Sequence, residues 1–496
     1  MNSRNLCYLA CAALLTLTES RAAPKPKLLA RDAFSAVQPQ LFANPGAFSN
    51  AWGDYDGDGN VDLAVGFKSG EVRLYRYDRQ GFVEVGAAAG LTMKGPEVRA
   101  LAWGDYDGDG DLDLFVGARD RIYLMRNDGG VFKDVTAEAG ISLDKVVSRQ
   151  ATWIDYDNDG DPDLHLANRS GTDFLFRNDA GHFTEVAAEV GLADTRKAVG
   201  ACWFDMNGDG YPDVFIAHQD GDTDALYRNE KGRFTDVAPA LRMDRADRKG
   251  RTGEGSVGCA VADYDNDGDL DLFVAAYGTS MLYRNDGGRF TDIAKDAGLI
   301  AEGHAVSASW GDYDNDGNLD LYITNYHGES KASQPAVYLF RNLGGRFENV
   351  MTSDNPVNAA DHGVQWVDYD RDGKLDLSLT RGYTSQGGAP VFRNRLGGSA
   401  RGHSLEVMVL DANGHARPGS EVRLFDRSGK ILGARLVMGG DGYNAQSAIP
   451  AHFGLARTQK VTVEATYLTA SGRVTQRVEG IDPNKQQGRV LMVRQR

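Results

Sequence analysis

Cysteine is scarce, with four in 496 residues, and two of those, Cys7 and Cys11, fall in an N-terminal stretch that reads as a removable leader. That leaves too few thiols for a disulfide-stapled scaffold or a cysteine-rich zinc module. Long apolar runs are missing too. The one candidate, Leu6 to Leu17, is shorter than the roughly 20 residues a helix needs to span a bilayer. Neither a GxSxG nucleophile elbow nor an HExxH zinc motif occurs. Net positive charge is absent as well: the formal charge is -16, the wrong sign for a nucleic-acid partner.

Arg4, the apolar stretch and Ser20, Arg21, Ala22 together predict a secretory signal over residues 1–22, placing the mature chain outside the cell or in the periplasm. Leu9, Ala10 and Cys11 give the outline of a lipidation box, but Tyr8 stands where Leu is usual. After cleavage Cys202 and Cys259 remain, three and four residues before equivalent aspartates of neighbouring repeats. That odd offset points them to opposite faces of equivalent strands, which are the faces that meet between adjacent blades of a propeller. The choice lies between a bridge, which needs Cα atoms within about 7 Å, and two small buried thiols.

Aspartate is what the chain has in excess, and it is in register. The pattern DxDxDGxxD recurs seven times, beginning at Asp54, Asp105, Asp155, Asp205, Asp263, Asp312 and Asp368. The spacing of about 50 residues is that of a repeat architecture. Positions 1, 3, 5 and 9 hold 27 aspartates and Asn207; without those 27 the formal charge would be +11. The acidity is therefore site charge, not a solvating tail.

Each repeat contains four strand-like runs. In the third these are Gln150 to Tyr156, Asp163 to Ala167, Phe174 to Asn178 and His182 to Val186. The acidic loop joins the first two, and a Gly-containing hairpin, Asp179 to Gly181, joins the last two. Seven such units predict an all-β, seven-bladed propeller over residues 33–396. The seventh repeat lacks an obvious fourth strand, whereas Phe34 to Val37 precedes the first. The N-terminal segment is thus expected to close the ring beside Val391 to Arg393. All six tryptophans, Trp52, Trp103, Trp153, Trp203, Trp310 and Trp366, stand two residues before a first aspartate, a register that suits packing between blades better than a sugar platform.

Three longer loops lie opposite the acidic ones: Leu241 to Gly255, rich in Arg and Lys, then Asn325 to Pro335, and Arg381 to Ala389, which contains Tyr383 and Gln386. Loops on a rigid scaffold are where binding concentrates, although solvated insertions look the same in sequence. Beyond a Gly/Ser/Arg boundary at residues 397–402 the repeat stops. Residues 401–496 alternate in short runs, Leu405 to Leu410, Glu421 to Phe425, Lys460 to Tyr467 and Arg489 to Val493, as in a small β-sandwich. This part carries fourteen Lys and Arg against eight Asp and Glu. Docking on the propeller and meeting an acidic partner both remain open for it.

Oxygen ligands at alternate positions of a tight turn suit a hard cation, with a Gly at position 6 and a backbone carbonyl at position 7. The candidate ligands are Asp54, Asp56, Asp58, Asn60 and Asp62; Asp105, Asp107, Asp109, Asp111 and Asp113; Asp155, Asp157, Asp159, Asp161 and Asp163; Asp205, Asn207, Asp209, Tyr211 and Asp213; Asp263, Asp265, Asp267, Asp269 and Asp271; Asp312, Asp314, Asp316, Asn318 and Asp320; and Asp368, Asp370, Asp372, Lys374 and Asp376. Position 7 varies from Asp to Tyr to Lys, the tolerance expected of a backbone ligand. Magnesium prefers stricter octahedral geometry, so up to seven structural calcium ions (Ca2+) are predicted. Asn207 removes a charge and should weaken the fourth site.

These loops and strands resemble FG-GAP/VCBS repeats, the blade unit of the integrin α-subunit propeller, over about residues 34–395. The stretch with Gly439, Gly440, Gly442, Tyr443 and Gln446, followed by His452, Phe453, Gly454 and Leu455, resembles the ASPIC/UnbV domain. Together they resemble the cartilage acidic protein 1 family, bacterial members included. The resemblance implies a calcium-binding adhesion scaffold for an extracellular protein or glycan, meeting its ligand near His218, Tyr277, Tyr326, His327 and Tyr383. The competing expectation is a calcium-dependent polysaccharide lyase or hydrolase using His304, His327 or His362 as bases; an accessory role beside a biosynthetic or redox system is a third. Oligomeric state is not legible.

Overall fold

The computed structural model describes residues 28–141, 143, 145–326, 337–360, 362–383, 387–397, 403–439 and 443–496. The signal segment, His327 and Gln386 lie outside these residues.

Seven sheets follow one another around a ring, each built on four antiparallel strands that run in sequence order in the first six. Their innermost strands are Ala47–Gly53, Val98–Gly104, Ser148–Ile154, Ala198–Phe204, Gly255–Ala262, Ala305–Gly311 and Val364–Val367. Each packs against the next, and the seventh returns to the first. The outer strand of blade seven is the N-terminal segment, paired Phe34 to Asn394 and Val37 to Val391, as its Phe and Val spacing predicts. Closure this way completes the seventh blade and ties the two ends of the ring together, leaving only the short outer edge of each blade.

The six tryptophans fill the space between blades. Indole Nε1 of Trp103, Trp153, Trp310 and Trp366 donates to a carbonyl on the preceding blade at 3.2 to 3.3 Å. Trp52, Trp153, Trp310 and Trp366 stack on the tyrosine that follows the first aspartate of that blade. Cys202 and Cys259 form a disulfide between blades four and five, with Cα atoms 6.1 Å apart.

The C-terminal part forms two sheets. One contains Ala451–Gly454, Ser404–Leu410 and Val490–Arg494; the other contains Ile431–Leu436, Glu421–Phe425, Val461–Thr469 and Gly472–Ile481. Val407, Leu424, Val463 and Tyr467 lie in the apolar core these sheets share. This module sits on the acidic-loop face of the ring and sends one segment into the channel. Ala445–Gln446 pairs in parallel with Leu101 and Ala102 on the inner edge of blade two, and Ala448 bridges to Gly53 of blade one. Buried backbone edges must find partners, and the segment supplies them. Leu101 N donates to Asn444 O at 3.0 Å and Ala448 N to Trp52 O at 2.7 Å.

Candidate functional sites: the acidic loops and the opposite rim

Each acidic loop is shaped by its backbone before any side chain acts. Position 4 has φ of 54° to 74° in all seven loops, a left-handed value that favours Gly or Asn. Gly57, Gly108, Asn158, Gly208, Asn266 and Asn315 follow that preference, and Arg371 is the exception. The asparagines also reach sideways: Asn158 Nδ2 donates to Gly210 O, Asn266 to Gly317 O and Asn315 to Gly373 O. Arg371 bridges to Gly59 O in the same way, linking blade seven to blade one.

Around this turn the carboxylates converge. Position 1 accepts from the position-6 glycine N–H at 2.7 to 3.1 Å in every loop. Position 9 accepts, at 2.7 to 2.8 Å, from a third-strand N–H in every blade. Carboxylate oxygens of Asp54, Asp56 and Asp58 lie within 4.8 Å of one another, as do those of Asp105, Asp107 and Asp113, of Asp155, Asp157 and Asp163, of Asp263, Asp265 and Asp271, and of Asp312, Asp314 and Asp316. Such groups can hold a metal ion. Burial and mutual repulsion oppose their ionisation: Asp54 is pushed up to about 6, Asp62 and Asp113 to about 8 and Asp271 to about 9, burial being the largest cause for each.

Hydrogen bonding shows which oxygens the protein leaves over. Among the described residues no donor reaches the buried Oδ1 of Asp54, Asp105, Asp155 or Asp265, nor Oδ2 of Asp320 or Asp376. Buried anionic oxygens without donors are costly unless a cation serves them, so the donor set fits a hard cation. Both oxygens of Asp263, Asp312 and Asp368 are served by backbone N–H groups, so loops five to seven leave an oxygen over at position 3 or 9. The fourth loop differs in that none of its buried carboxylate oxygens lacks a donor among the described residues: Asp205 accepts at Oδ1 from Gly208 N and Asp209 N, and at Oδ2 from Gly210 N and Arg473.

Of two partners of these loops, sequence reasoning missed one and held the other as one of two alternatives. The first is a third-strand asparagine: Asn127, Asn178, Asn229, Asn285, Asn342 and Asn394. Its N–H holds the position-9 aspartate, while its Nδ2 donates at 2.8 to 2.9 Å to a position-2 carbonyl of the preceding blade. The recurring Arg-Asn pair was its signal. Blade one has Arg76 and Tyr77 there, and Tyr77 meets Tyr369 ring to ring at 5.0 Å. The second partner is the C-terminal module. Arg417 pairs with Asp155 at 2.7 Å, Arg473 with Asp205 at 3.0 Å, and Ala434 N donates to Asp263 at 2.8 Å. The basic excess of that module is therefore turned, at least in part, onto first aspartates of the propeller.

The opposite rim gathers some of the expected ligand residues and loses others. Tyr277, Tyr326 and Tyr383 converge with His304 and His362. His218 does not belong there: it is fully buried inside blade four, with Nε2 3.3 Å from Asp194. The basic insertion is also less available than its composition suggests. Arg248 turns inward to Asp224 at 2.6 Å and to Ser256 at 2.8 Å. Phe48, Arg99 and Arg149 join the rim from blades one to three. Tyr443 reaches it along the channel, packed on Val199, Val257 and Val306.

A family model described as FG-GAP-like repeat matches residues 54–116, 105–166, 155–216, 205–274 and 263–323, together more than half of the chain. Cartilage acidic protein 1 of Xenopus tropicalis is 28% identical over 258 residues, which is 49% of this chain and 37% of that protein. The Mus musculus protein of the same name is 27% identical over 251 residues, with the same shares. The match thus spans little more than a third of those relatives. The solved WD40 β-propeller domain of Doa1 aligns with a TM-score of 0.41 at 13% identity, over 71% of this chain and 97% of that one. Among the described residues no helix is long and apolar enough to cross a membrane.

Proposed function

The chain belongs to the FG-GAP-like repeat family, and on that premise we propose that it is a secreted, calcium-braced binding scaffold without catalytic activity. Its propeller, residues 33–396, carries the ligand site at the rim, and its C-terminal domain, residues 401–496, clamps the acidic loops. The observation that carries the calcium reading is the set of buried carboxylate oxygens that, among the described residues, have no donor in six of the seven loops. The position-1, -3, -5 and -9 aspartates would hold the ion together with the position-7 carbonyl, and the ion would supply charge neutralisation and fixed loop geometry. The fourth loop is the weakest, because Asn207 removes a charge and Arg473 already serves Asp205.

The partner is an extracellular protein or glycan. Capture of partners from the extracellular milieu, with calcium and after its removal, tests this: specific capture only with calcium supports the scaffold, and capture indifferent to calcium counts against it. The meeting of His304 and His362 with the rim tyrosines favours one alternative, a polysaccharide lyase or hydrolase. Turnover on a polysaccharide panel, abolished in a folded His362→Ala variant, would establish that reading instead.

A further inference from the structure

Resting on the scaffold reading above, we propose that the channel mouth opposite the acidic loops binds an acidic saccharide. Its carboxylate or sulfate group pairs with Arg149 and Arg99, and its sugar ring lies against the arc of Tyr277, Tyr326 and Tyr383.

The charge at this mouth is positive although the chain is strongly acidic. Arg149 is the second residue of the inner strand of blade three, is half-buried, and donates to Ser148 O at 3.0 Å. It makes no ion pair among the described residues, and Arg99 and Arg169 stand near it with Glu97. A partly buried guanidinium without a directly paired carboxylate is costly in the free protein and is repaid by an anion. Arg99 is buried, lies 3.8 Å over the Phe48 ring and donates to the Tyr383 hydroxyl at 2.9 Å. Glu97 is shared between Arg99 and Arg119, each at 3.2 Å. Three guanidiniums therefore face one carboxylate.

Beside them runs the aromatic arc. Ring centroids are 6.5 Å apart for Tyr277 and Tyr326 and 5.2 Å for Tyr326 and Tyr383. Tyr383 is 37% exposed, and Tyr277 and Tyr326 are half-buried. Aromatic faces next to guanidiniums suit the apolar face and the acid group of a charged sugar. A peptide strand is disfavoured because the inner edge of blade two is already paired with Ala445–Gln446. Tyr443, 5% exposed, closes the channel below, so the ligand rests across the mouth rather than threading through.

The test is calorimetric titration of the full chain in calcium with a uronate oligosaccharide, its methyl-esterified counterpart and a sulfated oligosaccharide of similar length. The uronate or the sulfated oligomer should bind at least tenfold more tightly than the neutral one, with affinity falling as salt rises; which of the two binds identifies the acid group. Arg149→Gln should lower that affinity at least tenfold without moving the calcium-bound melting temperature. Equal binding of the neutral oligomer, or unchanged affinity in Arg149→Gln, overturns the proposal. Should that variant fail to fold, the wild-type comparison of charged with neutral oligomer decides alone. A chain that captures a calcium-dependent partner but binds neither acidic oligomer refutes the saccharide site and leaves the scaffold reading standing.

Discussion

Asn229 illustrates how much one side chain does between blades. Its Nδ2 serves Tyr156 O and Pro212 O, and its Oδ1 accepts from Gly232 N. Asn229→Ala strands two buried carbonyls and should cost about 2–4 kcal/mol, read by denaturant titration; a loss below about 0.5 kcal/mol would contradict the latch. The position-9 aspartates predict a pH dependence in metal-free protein. Their folded pKa values, about 8 for Asp62 and Asp113 and about 9 for Asp271, exceed the roughly 4 of an unfolded aspartate. Between those limits the folded state binds more protons, so stability falls as pH rises. Metal-free protein should melt lower at pH 8 than at pH 5.5, and saturating calcium, which needs ionised ligands, should remove or reverse that difference. At this scale the converging carboxylates were legible because DxDxDGxxD is local. The burial of His218 and the inward turn of Arg248 were not, because each is decided by a carboxylate, Asp194 or Asp224, that the fold brings to it.

The strands were largely readable, because period-two alternation and the repeat spacing state them many times over. In the third blade the observed strands are Ser148–Ile154, Asp163–Asn168, Phe174–Asp179 and His182–Glu185, within two residues of expectation at every end. The closing strand was readable for the same reason. The channel segment was not: nothing periodic marks residues 443–449, and its partners are far away in sequence. Gln446 accepts from Trp153 N at 2.6 Å and donates to Trp153 O at 3.0 Å, across 293 residues. Gln446→Ala should raise amide hydrogen exchange at Trp153 and Leu101 at least tenfold while circular dichroism stays that of an all-β chain. Unchanged protection at both amides would mean that the segment does not hold the inner edges.

At the scale of the molecule, the acidic face and the basic module complete each other. Asp155 offers Oδ2 to Arg417 of the C-terminal module while no donor among the described residues reaches its Oδ1. One residue can therefore serve both a cation and the module, and a bound cation would couple ring and docking into one unit. The central claim is that calcium braces this unit. Its most direct measurement is the thermal melt of the full chain at neutral pH, in millimolar calcium and after calcium removal. Several sites acting together should lower the melting temperature by on the order of 10 °C or more when calcium is removed. An unchanged melting temperature would contradict the account.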